Sequence, residues 1–209
     1  VDLYLFDFDK TLYAYDFHFR LPALSLVTGA SQYHLANSWW AGGYEVRAES
    51  GEWPSSEEYL AEFTRVTGAQ LTLENWQETR ALASTAIPAS IDTLRRASTL
   101  GTVSVLSNNP SPFAESLPLL APDVTAIVGG NRLVSSQLGV RKPDARIFEL
   151  ALARYGARAE DTFFVDDSAN NLEGASALAI HTHQLGYVNG EPQTDALDEA
   201  ITRFASRTA

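Results

Sequence analysis

Two aspartates spaced two apart, in Asp7-Phe8-Asp9-Lys10-Thr11, follow directly on an apolar run, and a second acidic pair, Asp166-Asp167, follows another. Carboxylates so placed can attack as nucleophiles, exchange protons or ligate a hard cation. Lys142, in Arg141-Lys142-Pro143-Asp144, and Ser107-Asn108-Asn109-Pro110 add a cation and small polar groups able to hold an anion. Four carboxylates converging on one crevice would repel one another and take up protons unless a cation lay between them. Mg2+ suits that role, because it accepts oxygen ligands and commonly uses one or two carboxylates together with a substrate phosphate. The chain has no cysteine and only four scattered histidines, so any metal must sit on carboxylates.

These residues can converge only if the elements carrying them run side by side. Val1 to Phe6 reads as a buried strand running into the Asp7 loop. Further strands are expected at Val103–Leu106, Thr125–Val128 closed by Gly129-Gly130, Thr162–Val165 and about Ile180–Gln184. Helices are expected near Ser90–Leu100, from Pro143 to about Tyr155, near Ala169–Leu178 and near Asp195–Ser206. Alternating strands and helices predict an α/β fold, a doubly wound parallel sheet with helices on both faces. In such a sheet ligands bind outside the carboxyl ends of the strands, which is where the polar clusters lie.

From about Tyr13 to Pro88 the pattern changes to dense aromatics and helix signals. Ser55-Ser56-Glu57-Glu58 reads as a capping box opening a helix through Thr67, and a second helix is expected over about Glu74–Ser84. This block, 13–88, reads as a helical cap inserted into a core made of 1–12 and 89–209. Its Trp39, Trp40, Tyr44 and Trp53 are expected to form mainly the cap's own core. Arg20 and Arg47 are the cap cations singled out to meet a phosphorylated or acidic substrate.

The 209 residues carry 26 Asp and Glu against 15 Lys and Arg, a formal net charge of -11. That field repels nucleic acid and anionic membranes, and no apolar run reaches the roughly 20 residues a membrane span needs. A basic n-region followed by an apolar h-region is missing from the start, while Val1 in first place and the lack of Met imply that residues precede it. The expectation is a cytoplasmic protein, monomeric or a small homo-oligomer, with a small-molecule partner rather than nucleic acid or membrane.

The order of the four strings resembles the haloacid dehalogenase superfamily. Asp7-Phe8-Asp9-Lys10-Thr11 is similar to its first motif, Ser107-Asn108 to its second, Lys142 within Arg141-Lys142-Pro143-Asp144-Ala145-Arg146 to its third, and Val165-Asp166-Asp167-Ser168 with Asn170-Asn171 to its fourth. The resemblance implies that Asp7 is a nucleophile forming an aspartyl-phosphate and that Asp9 is the general acid and base. It implies that Ser107, Asn108 and Lys142 hold phosphoryl oxygens. Mg2+ would rest on Asp7, the backbone carbonyl of Asp9, and one of Asp166 and Asp167. Aligning the family's usual Gly-Asp with this pair favours Asp167 as the ligand and Asp166 as a group orienting Lys142. Lys10 stands where the family often has Gly or Asn, and either flanks the entrance or faces solvent.

Dehalogenases of the family replace the second motif-one Asp by an aromatic residue, so Asp9 implies a phosphatase, a Mg2+-dependent phosphomonoester hydrolase. The third and fourth strings look most like those of hydrolases of sugar phosphates or nucleotides. A 2-haloacid dehalogenase and a phospho-receiver signalling module are the alternatives. A receiver carries its acid pair after the first strand and its phosphoacceptor on a middle one, the reverse of the order here.

Overall fold

The computed structural model describes residues 1–208. Its strands are β1 Leu3–Phe6, β2 Tyr13–Tyr15, β3 Ser84–Ala86, β4 Thr102–Ser107, β5 Arg132–Val134, β6 Thr162–Asp166, β7 His181–Gln184, β8 Tyr187–Val188 and β9 Glu191–Pro192. Five of them form one parallel sheet in the order β5-β4-β1-β6-β7. β1 takes the middle place, where both edges are paired and both faces covered, which suits a run of four wholly buried residues.

Side chains alternate across this sheet. Tyr4, Phe6, Val103, Val105, Phe163 and Val165 face one core, while Leu3, Leu5, Leu106 and Phe164 face the other. The helices are α1 Phe17–Thr28, α2 Gln32–Leu35, α3 Tyr44–Glu49, α4 Ser56–Thr67, α5 Leu73–Leu82, α6 Pro88–Ala97, α7 Ser111–Leu120, α8 Pro122–Val128, α9 Ser135–Leu138, α10 Ala145–Tyr155, α11 Ala169–Ser176 and α12 Thr194–Ala205. α6, α7 and α12 supply Ile91, Leu94, Phe113, Leu117, Leu197, Ile201 and Phe204 to the first core. α10 and α11 supply Ile147, Phe148 and Leu172 to the second.

Residues 13–88 are mostly helical and are anchored by a short antiparallel ribbon in which Tyr13 pairs with Ala86 and Tyr15 with Ser84. β3 occupies the end of what the sequence pattern presents as a helix to Ser84. α4 opens on the expected capping box: the Glu58 amide donates to Ser55 Oγ at 3.2 Å and the Ser55 amide to Glu58 Oε2 at 3.1 Å. Trp39 is wholly buried among Tyr44, Trp53, Tyr59 and Phe63, with ring centroids 5.1 to 5.9 Å away, and this aromatic group is continuous with the core on one face of the sheet rather than a separate core of 13–88.

Two further expected elements differ. Thr125–Val128 is not a strand but the end of α8, and the strand is Arg132–Val134. A short apolar run with β-branched residues reads either way. Here Pro122 at the first turn starts a helix, Gly129 at φ +58° ends it, and Gly130-Asn131 turns the chain into β5. Likewise the helix expected from Pro143 begins at Ala145, because Asp144 caps it by accepting the Arg146 amide at 2.9 Å. None of the helices among the described residues is long and apolar enough to cross a membrane.

Candidate active site

Parallel register brings the polar loops to one end of the sheet. Phe6 lies opposite both Val105 and Val165, so Asp7 is level with Leu106 and Asp166, and its amide continues the ladder to the Val165 carbonyl at 2.9 Å. Lys142, from the loop before α10, enters between them. Its side chain is 1% exposed, and its ammonium donates to Asp7 Oδ1 at 2.7 Å, Asp166 Oδ2 at 2.7 Å and the Leu106 carbonyl at 2.8 Å. Burial alone would disfavour the ammonium, but Asp7 and Asp166 outweigh it and hold Lys142 above its ordinary value.

Asp166 is fully committed within the protein. Besides Lys142 it accepts the Ser168 amide at 2.8 Å and the Asn171 side-chain amide at 3.0 and 3.2 Å. Asp167 is half-buried beside it, and Asp7, Asp166 and Asp167 each place an oxygen within 4.8 Å of the other two. Burial, then the charge of Asp166, pushes Asp167 up. Burial foremost, with Asp166 adding to it, raises Asp7 well above its ordinary value against the pull of Lys142. Three crowded carboxylates against one ammonium make a donor set with surplus negative charge and hard oxygen atoms, which fits Mg2+.

Asp9 points away from this cluster. Its Oδ1 accepts from the Arg80 guanidinium, and its Oδ2 accepts from Asn109 Nδ2 at 3.0 Å. The same Asn109 amide donates to Ser107 Oγ at 2.9 Å. Asn108 does something else: its side chain donates to the Lys142 carbonyl and accepts the Lys142 amide, both at 2.9 Å, and so clamps the backbone from which the lysine reaches inward. Lys10 is exposed at φ +59°, its carbonyl accepting the Tyr187 hydroxyl at 2.6 Å.

Beyond Asp9 lies a cavity of about 240 Å3, lined by Asp9, Arg20, Trp40, Glu45, Glu49, Arg80, Asn108 and Asn109 among others. Arg20 is thus in place on its wall. Arg47 is not: it is exposed, stacked on Tyr44 and Trp53 and paired with Glu52. Arg80 and Asn109 are site residues that the sequence reading did not single out. Asn109 could have been suspected beside Asn108, whereas Arg80, inside a helix 71 residues from Asp9, carries no sequence signal of its place.

A family model described as a haloacid dehalogenase-like hydrolase matches residues 1–178. A phosphoglycolate phosphatase of Aliivibrio fischeri is 26% identical over 176 residues, covering 80% of this chain and 75% of that protein. A HAD family enzyme of Bacteroides thetaiotaomicron superposes with a TM-score of 0.77 at 16% identity, covering 94% of this chain and 98% of the other. The same enzyme crystallised with magnesium and inorganic phosphate gives a TM-score of 0.73 at 16% identity over 89% of this chain and 94% of that one. At that identity the likeness is one of fold.

Proposed function

The chain belongs to the haloacid dehalogenase-like hydrolases, and on that premise we propose that it is a Mg2+-dependent phosphomonoester hydrolase acting on a small phosphorylated metabolite, a sugar phosphate or nucleotide in class. The observation that carries the reading is a division of labour between two carboxylates of one loop. Asp7 is buried against Lys142, and Asp9 stands two residues on at the cavity wall.

Asp7 attacks phosphorus and the bond to the leaving oxygen breaks, leaving an aspartyl-phosphate. Asp9 gives the departing alkoxide a proton, then takes one from the water that cleaves the acyl phosphate and restores Asp7. Lys142, whose three N–H groups are taken by Asp7, Asp166 and the Leu106 carbonyl, lowers by its charge the repulsion between Asp7 and the incoming dianion, and Ser107 holds a transferring oxygen. Asp166 keeps the ammonium aimed at Asp7. Bound Mg2+, held by Asp7, Asp167 and the Asp9 carbonyl, would supply charge neutralisation for the phosphoryl oxygens.

A panel of phosphomonoesters assayed with Mg2+ and with EDTA, using Asp7→Asn as the blank, tests this. Phosphate release that needs Mg2+ and disappears in the variant is expected. Retention of a tenth of the activity, about 1.4 kcal/mol of barrier, would remove Asp7 as nucleophile. Halide release from 2-chloropropionate without Mg2+ would replace the whole reading.

A further inference from the structure

Arg20 and Arg80 are 3% and 2% exposed, both on the cavity wall beside Asp9. Burying a guanidinium is costly unless its charge is paired and its N–H groups are satisfied. Arg20 meets neither condition within the protein, and Arg80 meets only the first, through Asp9. Among the described residues Arg20 has no carboxylate within ion-pairing distance. The one hydrogen bond of its guanidinium is a 3.3 Å contact to the Tyr15 hydroxyl, and it lies over Trp76 at 4.8 Å. Arg80 lies over Tyr15 at 4.0 Å and pairs only with Asp9, the residue that has to be free to reach the leaving oxygen. The Nε atoms of both arginines are buried without a partner. The acids facing them are engaged elsewhere, Glu45 by Trp39 and Tyr59, and Glu49 by Arg141 at 2.9 Å.

We propose that Arg20 and Arg80 form a subsite for a second anionic group of the substrate, so that the substrate is a phosphomonoester carrying a carboxylate or a further phosphate. This rests on the phosphatase reading above. The planar guanidinium fork matches either oxyanion, and a cationic pair walled by aromatic rings holds it away from water. When that group docks, Arg80 exchanges Asp9 for the substrate and Asp9 becomes free for the leaving oxygen. The right substrate thereby releases its own acid and base.

Calorimetric titration of the wild-type protein with Mg2+ compares 3-phosphonopropionate with propylphosphonate, which share a three-carbon chain and differ in a terminal carboxylate against a methyl group. Propane-1,3-bisphosphonate is a third arm that distinguishes a second phosphate from a carboxylate. At least one anionic ligand should bind about 30-fold more tightly than propylphosphonate. That ratio should fall towards one in Arg20→Gln and Arg80→Gln, and Arg20→Lys and Arg80→Lys should retain part of it. Equal binding of all three ligands by the wild type overturns the subsite. So does an unchanged ratio in both glutamine variants with native circular dichroism. Phosphoester turnover measured on the same wild-type sample separates the two ideas. Discrimination without turnover strikes the phosphatase reading and supports the subsite, whereas turnover without discrimination does the reverse.

Discussion

Lys142 is one ammonium shared by two buried carboxylates, 135 positions away at Asp7 and 24 away at Asp166. Removing it would leave both acids buried and facing each other uncompensated, so Lys142→Ala should lose about 3 to 5 kcal/mol in urea unfolding, besides its phosphatase activity. A loss under 1 kcal/mol would mean that the acids are already protonated in the folded state. At this scale the residue types were legible in the sequence but their directions were not. Asn108 and Asn109 are chemically identical neighbours on one turn. The local backbone aims the first at the Lys142 main chain and the second at Ser107 and Asp9. The second motif was therefore readable as a polar cradle, while the partner of each amide depended on contacts 34 and 100 residues away.

Elements fix where these residues stand. α11 packs so closely on the turn before α10 that a Cβ on Gly174 would lie 2.2 Å from the Pro143 carbonyl oxygen. Gly174→Ala must therefore push the main chain next to Lys142, with an expected cost of about 1 to 3 kcal/mol and a fall in kcat from a displaced ammonium. An alanine variant with wild-type kcat and stability would show that the two elements can separate without moving the lysine. At the cap, Glu49 on α3 meets Arg141 of the core loop at 2.9 Å. Burial, then Glu45, raises its carboxyl from 4.5 to about 7. A folded-state value above the unfolded one means a contribution fully present below pH 4.5 and lost as pH rises through 7. Glu49→Gln should flatten that part of the curve and exceed the wild type above pH 7 by up to about 3 kcal/mol; parallel pH profiles of the unfolding midpoint would count against it. Strand and helix order was readable only in part from alternating apolar runs: Thr125–Val128 has a composition that suits a strand and a seven-residue helix alike, and α1 and α7, which carry Pro22 and Pro118 inside them, were not anticipated. The ribbon of Tyr13–Tyr15 with Ser84–Ala86 was not readable, because three-residue strands carry no periodicity and pair across the whole cap.

Over the whole molecule the acid excess has an address. A net charge of -11 sets a field that turns away polyanions, yet the crevice is nearly balanced. Asp9 is matched by Arg80, and three carboxylates against Lys142 leave two negative charges, which one dication would cancel. The acids of this cluster were legible as motifs, and Arg80 was not, because only the fold brings a cap helix over the first loop. If the surplus is a metal site, metal binding must appear as stability. At 100 times its Kd, Mg2+ should add about 2.7 kcal/mol, and at this chain length that is roughly 5 to 10 °C in unfolding midpoint. Asp167→Asn carries the sharper consequence. Without metal it removes one of three mutually repelling charges and should melt above the wild type; with saturating Mg2+ it should melt below it. Calorimetric scans of both proteins, with Mg2+ and with EDTA at equal ionic strength, should therefore change rank between the two conditions. Unchanged rank, with the same Mg2+ increment in both, would place the ion away from Asp167 and leave the acidic cluster without the cation that its crowding requires.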